Sequence, residues 1–245
     1  HGEILFDCIA NPEAAGWELG RVEESAAWTP YPGGAPANVA CALAKLGVPA
    51  SFVGAVGRDE EGDKLLQVLE SSGVGTELAA RVDDRPTRTV MVTRGMDGDR
   101  TFAGFGGGKA SDSFADCEHR LSESEEMAKG LLEPGSWLVQ GTLGLAYPGS
   151  CESHVCLAEW AKEAGAVRYL DINWRPVFWE LAGEGGGSPS RLSWRVILLG
   201  KDNIPLSRKE KLQSLLPADR CLACDSPPPA SQGRVVGGLS TMATE

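Results

Sequence analysis

Gly33-Gly34-Ala35-Pro36-Ala37-Asn38-Val39-Ala40-Cys41-Ala42-Leu43-Ala44-Lys45-Leu46-Gly47 runs from a glycine pair through a proline into an alanine-rich helical pattern. Two glycines lead into Pro36, and proline belongs in the first turn of a helix, where its missing N–H removes no bond. Val39, Leu43 and Leu46 mark an apolar stripe, and the alanines between them let the helix lie close to a sheet. Gly47 stands where a left-handed C-cap belongs. Asn38 projects an amide from the first turn, beside two glycines that leave the backbone open to approach. Such a group suits a neutral polyhydroxylated ligand, which needs donors and acceptors rather than a countercharge. Two glycines alone would signify an ordinary loop-to-helix junction; Pro36 and Asn38 shift the balance toward a site.

The pattern extends in both directions. Upstream, Glu3-Ile4-Leu5-Phe6-Asp7-Cys8-Ile9 reads as a buried strand ended by Asn11-Pro12, and residues 13–32 are mixed in character. Downstream, Ser51 to Val56 is a second strand. Asp59-Glu60-Glu61 then forms the acidic first turn of a helix that runs through Leu65, Leu66, Val68 and Leu69 and stops at Gly73. Strand, helix, strand and helix at this spacing predict an α/β fold with a parallel sheet. Thr87 to Thr93 and Arg100 to Phe105 flank Asp97-Gly98, a hairpin signal, so residues of about 87–105 are expected to form a lid between βα units. The rhythm resumes with a helix near 120–132, the strand Trp137 to Gln140, a helix over about 151–164 and the strand Val167 to Asp171. After Glu180 come Gly183-Glu184-Gly185-Gly186-Gly187-Ser188-Pro189 and later Pro227-Pro228-Pro229. Residues 1–180 are therefore expected to form the domain, and 181–245 a poorly ordered tail.

Composition narrows the function classes. A chain of 245 residues with 42% hydrophobic residues has ample material for a core, and its net charge of −11 argues against a nucleic-acid surface. No apolar run is long enough to span a bilayer, so no membrane partner is expected. The seven cysteines are odd in number and irregular in spacing, which suits free thiols in a reducing compartment. Cys221 and Cys224 form a lone CxxC pair with no second pair and no nearby histidine, so no metal site is expected. His1, His119 and His154 show neither ligand nor triad spacing. The chain enters a strand at once from His1, and an upstream segment is expected before it.

A second constellation is Asp171-Ile172-Asn173-Trp174-Arg175-Pro176, placed at the carboxyl end of an apolar strand, where open α/β sheets hold ligands. Asp171 and Asn173 offer polar groups there, and Arg175 suits phosphate oxygens. The bland alternative is a strand-end turn with a surface ion pair. Gly104-Phe105-Gly106-Gly107-Gly108-Lys109-Ala110 looks like a phosphate loop but has Ala103 in place of the first glycine and Ala110 in place of the magnesium-holding Ser/Thr. It reads as a loop after the hairpin.

Together these motifs resemble the PfkB (ribokinase-like) carbohydrate kinases, with the fructokinase branch nearest. Gly2-Glu3-Ile4-Leu5-Phe6-Asp7 resembles the family's first strand, and Gly33 to Ala40 its N-terminal signature in fructokinase form. Phe52 to Gly62, Gly73-Val74, Asp97-Gly98-Asp99-Arg100, Gly141-Thr142-Leu143 and Asp171 to Pro176 continue in order, with Ile172 where proline is commoner. The resemblance covers about residues 2–180. It implies a mainly parallel central sheet with helices on both faces and a small β lid, the C-terminal part of that fold being incomplete here. It implies that Asp7, Gly33, Gly34 and Asn38 hold sugar hydroxyls, that Phe105 closes over the sugar, and that Asn173 and Arg175 lie near the phosphates. ATP would be the donor, with Mg²⁺ as its counterion, and a fructose-like sugar the acceptor. A homodimer through the lid and an intracellular setting, cytoplasmic or plastid, are further expectations. The family's second signature, a Gly-x-Gly-Asp turn that supplies an anion hole and the catalytic base, does not occur in this sequence. No catalytic residue is therefore assigned. The chain is expected to be a truncated, inactive kinase or, alternatively, a non-catalytic module that binds sugar or a protein.

Overall fold

The computed structural model describes residues 1–10, 28–94, 100–121 and 124–173. Its elements are β1 (Leu5–Ala10), β2 (Trp28–Gly33), α1 (Ala35–Lys45), β3 (Ser51–Gly57), α2 (Glu60–Ser71), β4 (Gly75–Val82), β5 (Thr89–Arg94), β6 (Arg100–Phe105), α3 (Glu125–Gly130), β7 (Trp137–Gln140), α4 (Pro148–Glu163) and β8 (Val167–Leu170). The fold is α/β, as the sequence predicts.

The central layer is parallel. β3 pairs with β4 and β7 with β8, both in parallel. The two pairs are joined by the residues that precede β1. The Gly2 N–H donates to the Val53 carbonyl at 3.1 Å, the His1 nitrogen to the Val139 carbonyl at 2.6 Å, and the Gly141 N–H to the His1 carbonyl at 3.1 Å. The layer thus reads β4, β3, His1–Gly2, β7, β8.

Side chains alternate across this layer, as a pleat requires. Ile4, Phe6, Phe52 and Val56 face a core with Ala37 and Ala40 of α1 and Leu65 and Leu69 of α2. Val53, Leu78 and Leu138 face the other side, against Ala128 of α3 and Leu157 and Ala161 of α4. Helices therefore cover both faces, and Phe52, Leu65, Leu69 and Ala161 are at most 1% exposed. Burying a side chain the size of Leu or Phe contributes about 1.5–3 kcal/mol each.

β1 then leaves the central layer and enters a second sheet, ordered β2-β1-β5-β6. β1 pairs with β5 in parallel and with β2 antiparallel, and β5 with β6 antiparallel. The β5–β6 hairpin of this sheet is the one expected as the lid, and the sheet is larger than that hairpin because β1 and Trp28–Gly33 join it. Pro30 and Pro32 cannot donate to a ladder, and they are tolerated because β2 is an edge strand. The Asp97-Gly98 turn lies outside the described residues, as do Arg175 and the whole of 181–245. The helix expected near 120–132 is shorter, Glu125–Gly130.

The lid is fastened to the core at Thr87. Asp59 caps α2 by accepting from the Gly62 N–H at 2.8 Å, and the same carboxylate takes the Thr87 N–H at 2.7 Å and hydroxyl at 2.6 Å. Thr87 Oγ1 in turn accepts from the Gly57 N–H at 2.9 Å. Burial alone would raise the Asp59 pKa, but these hydrogen bonds hold it below its ordinary value.

Candidate functional site

A cleft of about 530 Å³ opens between the central layer and the lid. Its floor carries Asp7, Gly34, Asn38, Gly141, Thr142, Asp171 and Asn173, and the lid contributes Val90, Val92, Thr101 and Phe102. Polar groups below and apolar ones above match a polyol, whose hydroxyls need partners and whose C–H faces pack on apolar surface.

Each polar group is set by the local backbone. Asp7 sits in the middle of β1, opposite Tyr31 on one side and Val90 on the other. It shares a face with Leu5, whose side chain joins the lid core of Val90, Val92, Phe105 and Phe114. Gly33 is glycine because a Cβ there would stand 2.8 Å from Asp7 Oδ2. Gly34 has φ +99°, and a Cβ on it would meet the Glu3 carbonyl at 2.4 Å. The chain's own packing therefore demands both glycines, whatever a ligand gains from them. Asn38 follows, its N–H bonded to the Gly34 carbonyl at 3.0 Å.

The far wall is a turn beyond β8. The Asp171 N–H donates to the Gln140 carbonyl at 2.8 Å, extending the β7–β8 ladder. The Asn173 N–H donates to Asp171 Oδ1 at 3.2 Å, and Asn173 itself takes φ +28°. Asparagine tolerates such backbone better than most residues. Thr142 Oγ1 ties this turn to the end of β7 through the Ile172 carbonyl at 2.5 Å.

Of the residues expected to touch ligand, Asp7, Gly34, Asn38 and Asn173 line the cleft together, and Gly33 abuts Asp7. Phe105 is not among the lining residues. It is 7% exposed and packs at 5.4 Å centroid distance on Phe114, inside the lid core. Phe102, 5.1 Å from Phe105, lines the cleft in its place. A register shift in the β5–β6 ladder between Met91 and Val92 brings Phe102 to the same face as Phe105. Val90 faces Phe105 and Val92 faces Phe102, so residues three apart share a face.

The histidines, unremarkable by spacing, come together behind the cleft. The His1 and His154 rings lie 4.0 Å apart and those of His1 and His119 5.3 Å apart. Gln140 Nε2 donates to the His154 carbonyl at 3.1 Å and meets His1 Nδ1 at 3.2 Å. His154 Nδ1 stands 2.9 Å from the Ser150 carbonyl. Burial lowers the His119 pKa to about 3 and that of His154 to about 4, with His154 adding to the effect at His119. His119 and His154 are thus neutral beside a chamber of about 10 Å³, which Glu3 and Leu143 separate from the cleft.

No three His, Cys, Asp or Glu side chains among the described residues converge to hold a metal ion, and Asp171 and Asn173 bring no positive charge to the cleft. Those two side chains alone give a triphosphate no cationic partner, Arg175 lying outside the described residues, and no step through one is derived from them. No helix among the described residues is long and apolar enough to cross a membrane.

Comparison with known proteins gives the same direction. Residues 1–184 match the family described as pfkB family carbohydrate kinase. The chain is 33% identical over 178 residues to probable fructokinase-5 of Arabidopsis thaliana, covering 73% of this chain and 51% of that protein. It is 36% identical over 180 residues to fructokinase-1 of Oryza sativa subsp. japonica, with the same coverages. Among solved structures, fructokinase from Xylella fastidiosa superimposes with a TM-score of 0.65 at 28% identity, covering 82% of this chain and 56% of that one. The same enzyme with bound ATP gives a TM-score of 0.64 at 27% identity, covering 82% of this chain and 57% of that one. The chain thus spans about half the length of the curated relatives it matches. With a ribokinase-like fold and a family match over most of its length, this chain belongs to the pfkB family of carbohydrate kinases.

Proposed function

We propose that this chain carries the acceptor half of an ATP-dependent sugar kinase and binds a fructose-like sugar in the cleft between central layer and lid. The observation that carries the reading is the convergence of Asp7, Gly34, Asn38 and Asn173 on one cleft under Val92 and Phe102. In this reading Asp7 accepts from two sugar hydroxyls, the Asn38 amide supplies a donor and an acceptor, and Phe102 lies against the C–H face. The fructokinase relatives support fructose as the acceptor, and the ATP-bound neighbour supports ATP as the family's donor; Mg²⁺ as its counterion belongs to the proposal alone.

Binding and turnover part company in this chain. Phosphoryl transfer needs an anion hole and a positioned base, and the Gly-x-Gly-Asp turn that supplies both in the family does not occur in the sequence. The chain is therefore expected to bind sugar without phosphorylating it. A homodimer formed through the lid is part of the same proposal, with sedimentation as its check. Calorimetry of the full chain against fructose, ribose and 2-keto-3-deoxygluconate, beside an ATP-coupled assay with Mg²⁺, tests the rest. Fructose-selective binding with no turnover supports the reading; absence of binding overturns it, and robust turnover overturns the claim of inactivity.

A further inference from the structure

The N-terminus of α1 presents a difficulty that the sequence does not resolve locally. The first N–H groups of any helix lack partners within the helix. Gly34, the capping position, has no side chain, and no side-chain cap is formed there. Pro36 has no N–H, and the Asn38 N–H is satisfied by the Gly34 carbonyl. The Ala35 and Ala37 N–H groups are left to find acceptors elsewhere.

Glu3, on the segment that precedes β1, supplies the one for Ala35. Its buried carboxyl accepts from the Ala35 N–H and from its own backbone N–H. The same residue touches this turn a second way, since its carbonyl lies 2.4 Å from where a Gly34 Cβ would be. Its Oε2 has no hydrogen-bond partner among the described residues, and it packs close to Gly141 across the cleft floor, 3.3 Å from where a Cβ on Gly141 would stand. A buried acid with one oxygen unpaired is a costly feature, and a merely solvated role does not explain it.

We infer that Glu3 is a positioning residue for the sugar site: it caps α1 from the segment before β1 and so fixes Gly34 and Asn38 where they meet the ligand. The inference rests on the cleft being the sugar site. Burial, foremost, raises the Glu3 pKa to about 7, with Asp116 adding to the rise. Neither protonation state removes the acceptor, so the cap does not need the charge.

That distinction sets the test. Glu3→Gln keeps the length and an acceptor oxygen; Glu3→Asp keeps the charge but withdraws it by one methylene. Two readouts on the full chain are hydrogen exchange at the Ala35, Ala37 and Asn38 amides and fructose affinity by calorimetry. Glu3→Gln is expected to stay within about twofold of wild type in both, because a neutral amide oxygen replaces the carboxylate oxygen in one bond. Glu3→Asp is expected to exchange those amides about tenfold faster and to bind fructose about tenfold more weakly, with α4 and β7–β8 amides unchanged. Unchanged exchange in Glu3→Asp, or equal damage from Glu3→Gln, overturns the inference. So does normal fructose affinity in Glu3→Asp despite fast exchange. If wild type binds no sugar, the exchange result still decides whether Glu3 caps α1, and the failure belongs to the site assignment instead.

Discussion

Arg88 and Asp116 form a two-pronged ion pair inside the protein, with Nε to Oδ2 at 2.6 Å and Nη2 to Oδ1 at 2.8 Å. The side chains are 0% and 8% exposed. The guanidinium also lies 4.7 Å from the Phe114 ring centroid and 5.3 Å from those of Phe105 and Tyr147, and it donates to the Ser111 carbonyl at 3.0 Å. Burial alone would lower its pKa, but Asp116 outweighs that and keeps it charged. The pair pins the base of β5 to the segment after the lid. Asp116→Ala is expected to lose about 3–5 kcal/mol in urea unfolding, since it strands a buried charge. Arg88→Met in the same background is expected to recover part of that loss.

The two lid aromatics separate stability from binding. Phe105→Ala empties a site in the lid core and is expected to lose about 3–5 kcal/mol. Phe102→Ala, at the cleft, is expected to weaken fructose binding about three- to tenfold, as the loss of one aromatic contact does, with a smaller change in stability. Thermal melts and calorimetry on the two variants check the contrast. The reverse pattern would restore Phe105 as the residue that closes on the sugar.

Several features were legible because they are local. Pro36 and Gly47 mark the ends of α1, and the acidic turn at Asp59 starts α2, each by chemistry confined to a few residues. Gly47 indeed adopts φ +80°. What escaped depends on partners far along the chain. β2 carries two prolines and is a strand only because β1 offers it an edge; β4 has a weak pattern, with Ala79 and Ala80 in its middle, and is held by β3. The histidine chamber joins residues 118 apart. No pattern in Arg100–Phe105 announces the register shift that brings Phe102 to the same face as Phe105.

The buried titratable groups give the protein a pH signature. His119 and His154 have folded pKa values of about 3 and 4, below their ordinary 6.5, so the fold prefers them neutral. Their preference stabilises fully above pH 6.5 and is lost as pH falls through that window, on the order of 3 kcal/mol at most for His154. Glu3 acts in the opposite sense: with a folded pKa of about 7 against 4.5, ionising it costs stability as pH rises between those values. The groups around it are His1, His119, His154 and Asp116. Urea unfolding from pH 4 to 8 is expected to show a flattened acid limb in His119→Gln/His154→Gln and a gain at pH 8 in Glu3→Gln.

Asp59 is expected to matter for the lid as well as for α2. Asp59→Ala removes three bonds at one carboxylate, the cap to Gly62 and two to Thr87, and should lose about 2 kcal/mol. Hydrogen exchange should rise in β5 together with the first turn of α2. A rise confined to α2 would show that Thr87 holds the lid without it.

The central claim is that Asp7 and its neighbours form a sugar site in a chain without the family's phosphoryl-transfer turn. Fructose titration of wild type and Asp7→Ala by calorimetry tests it most directly. The account predicts a saturable wild-type isotherm and an affinity about tenfold to a hundredfold weaker in Asp7→Ala, the range for bonds to a charged acceptor, with the melting temperature within a few degrees. Equal affinity in the two proteins would contradict it.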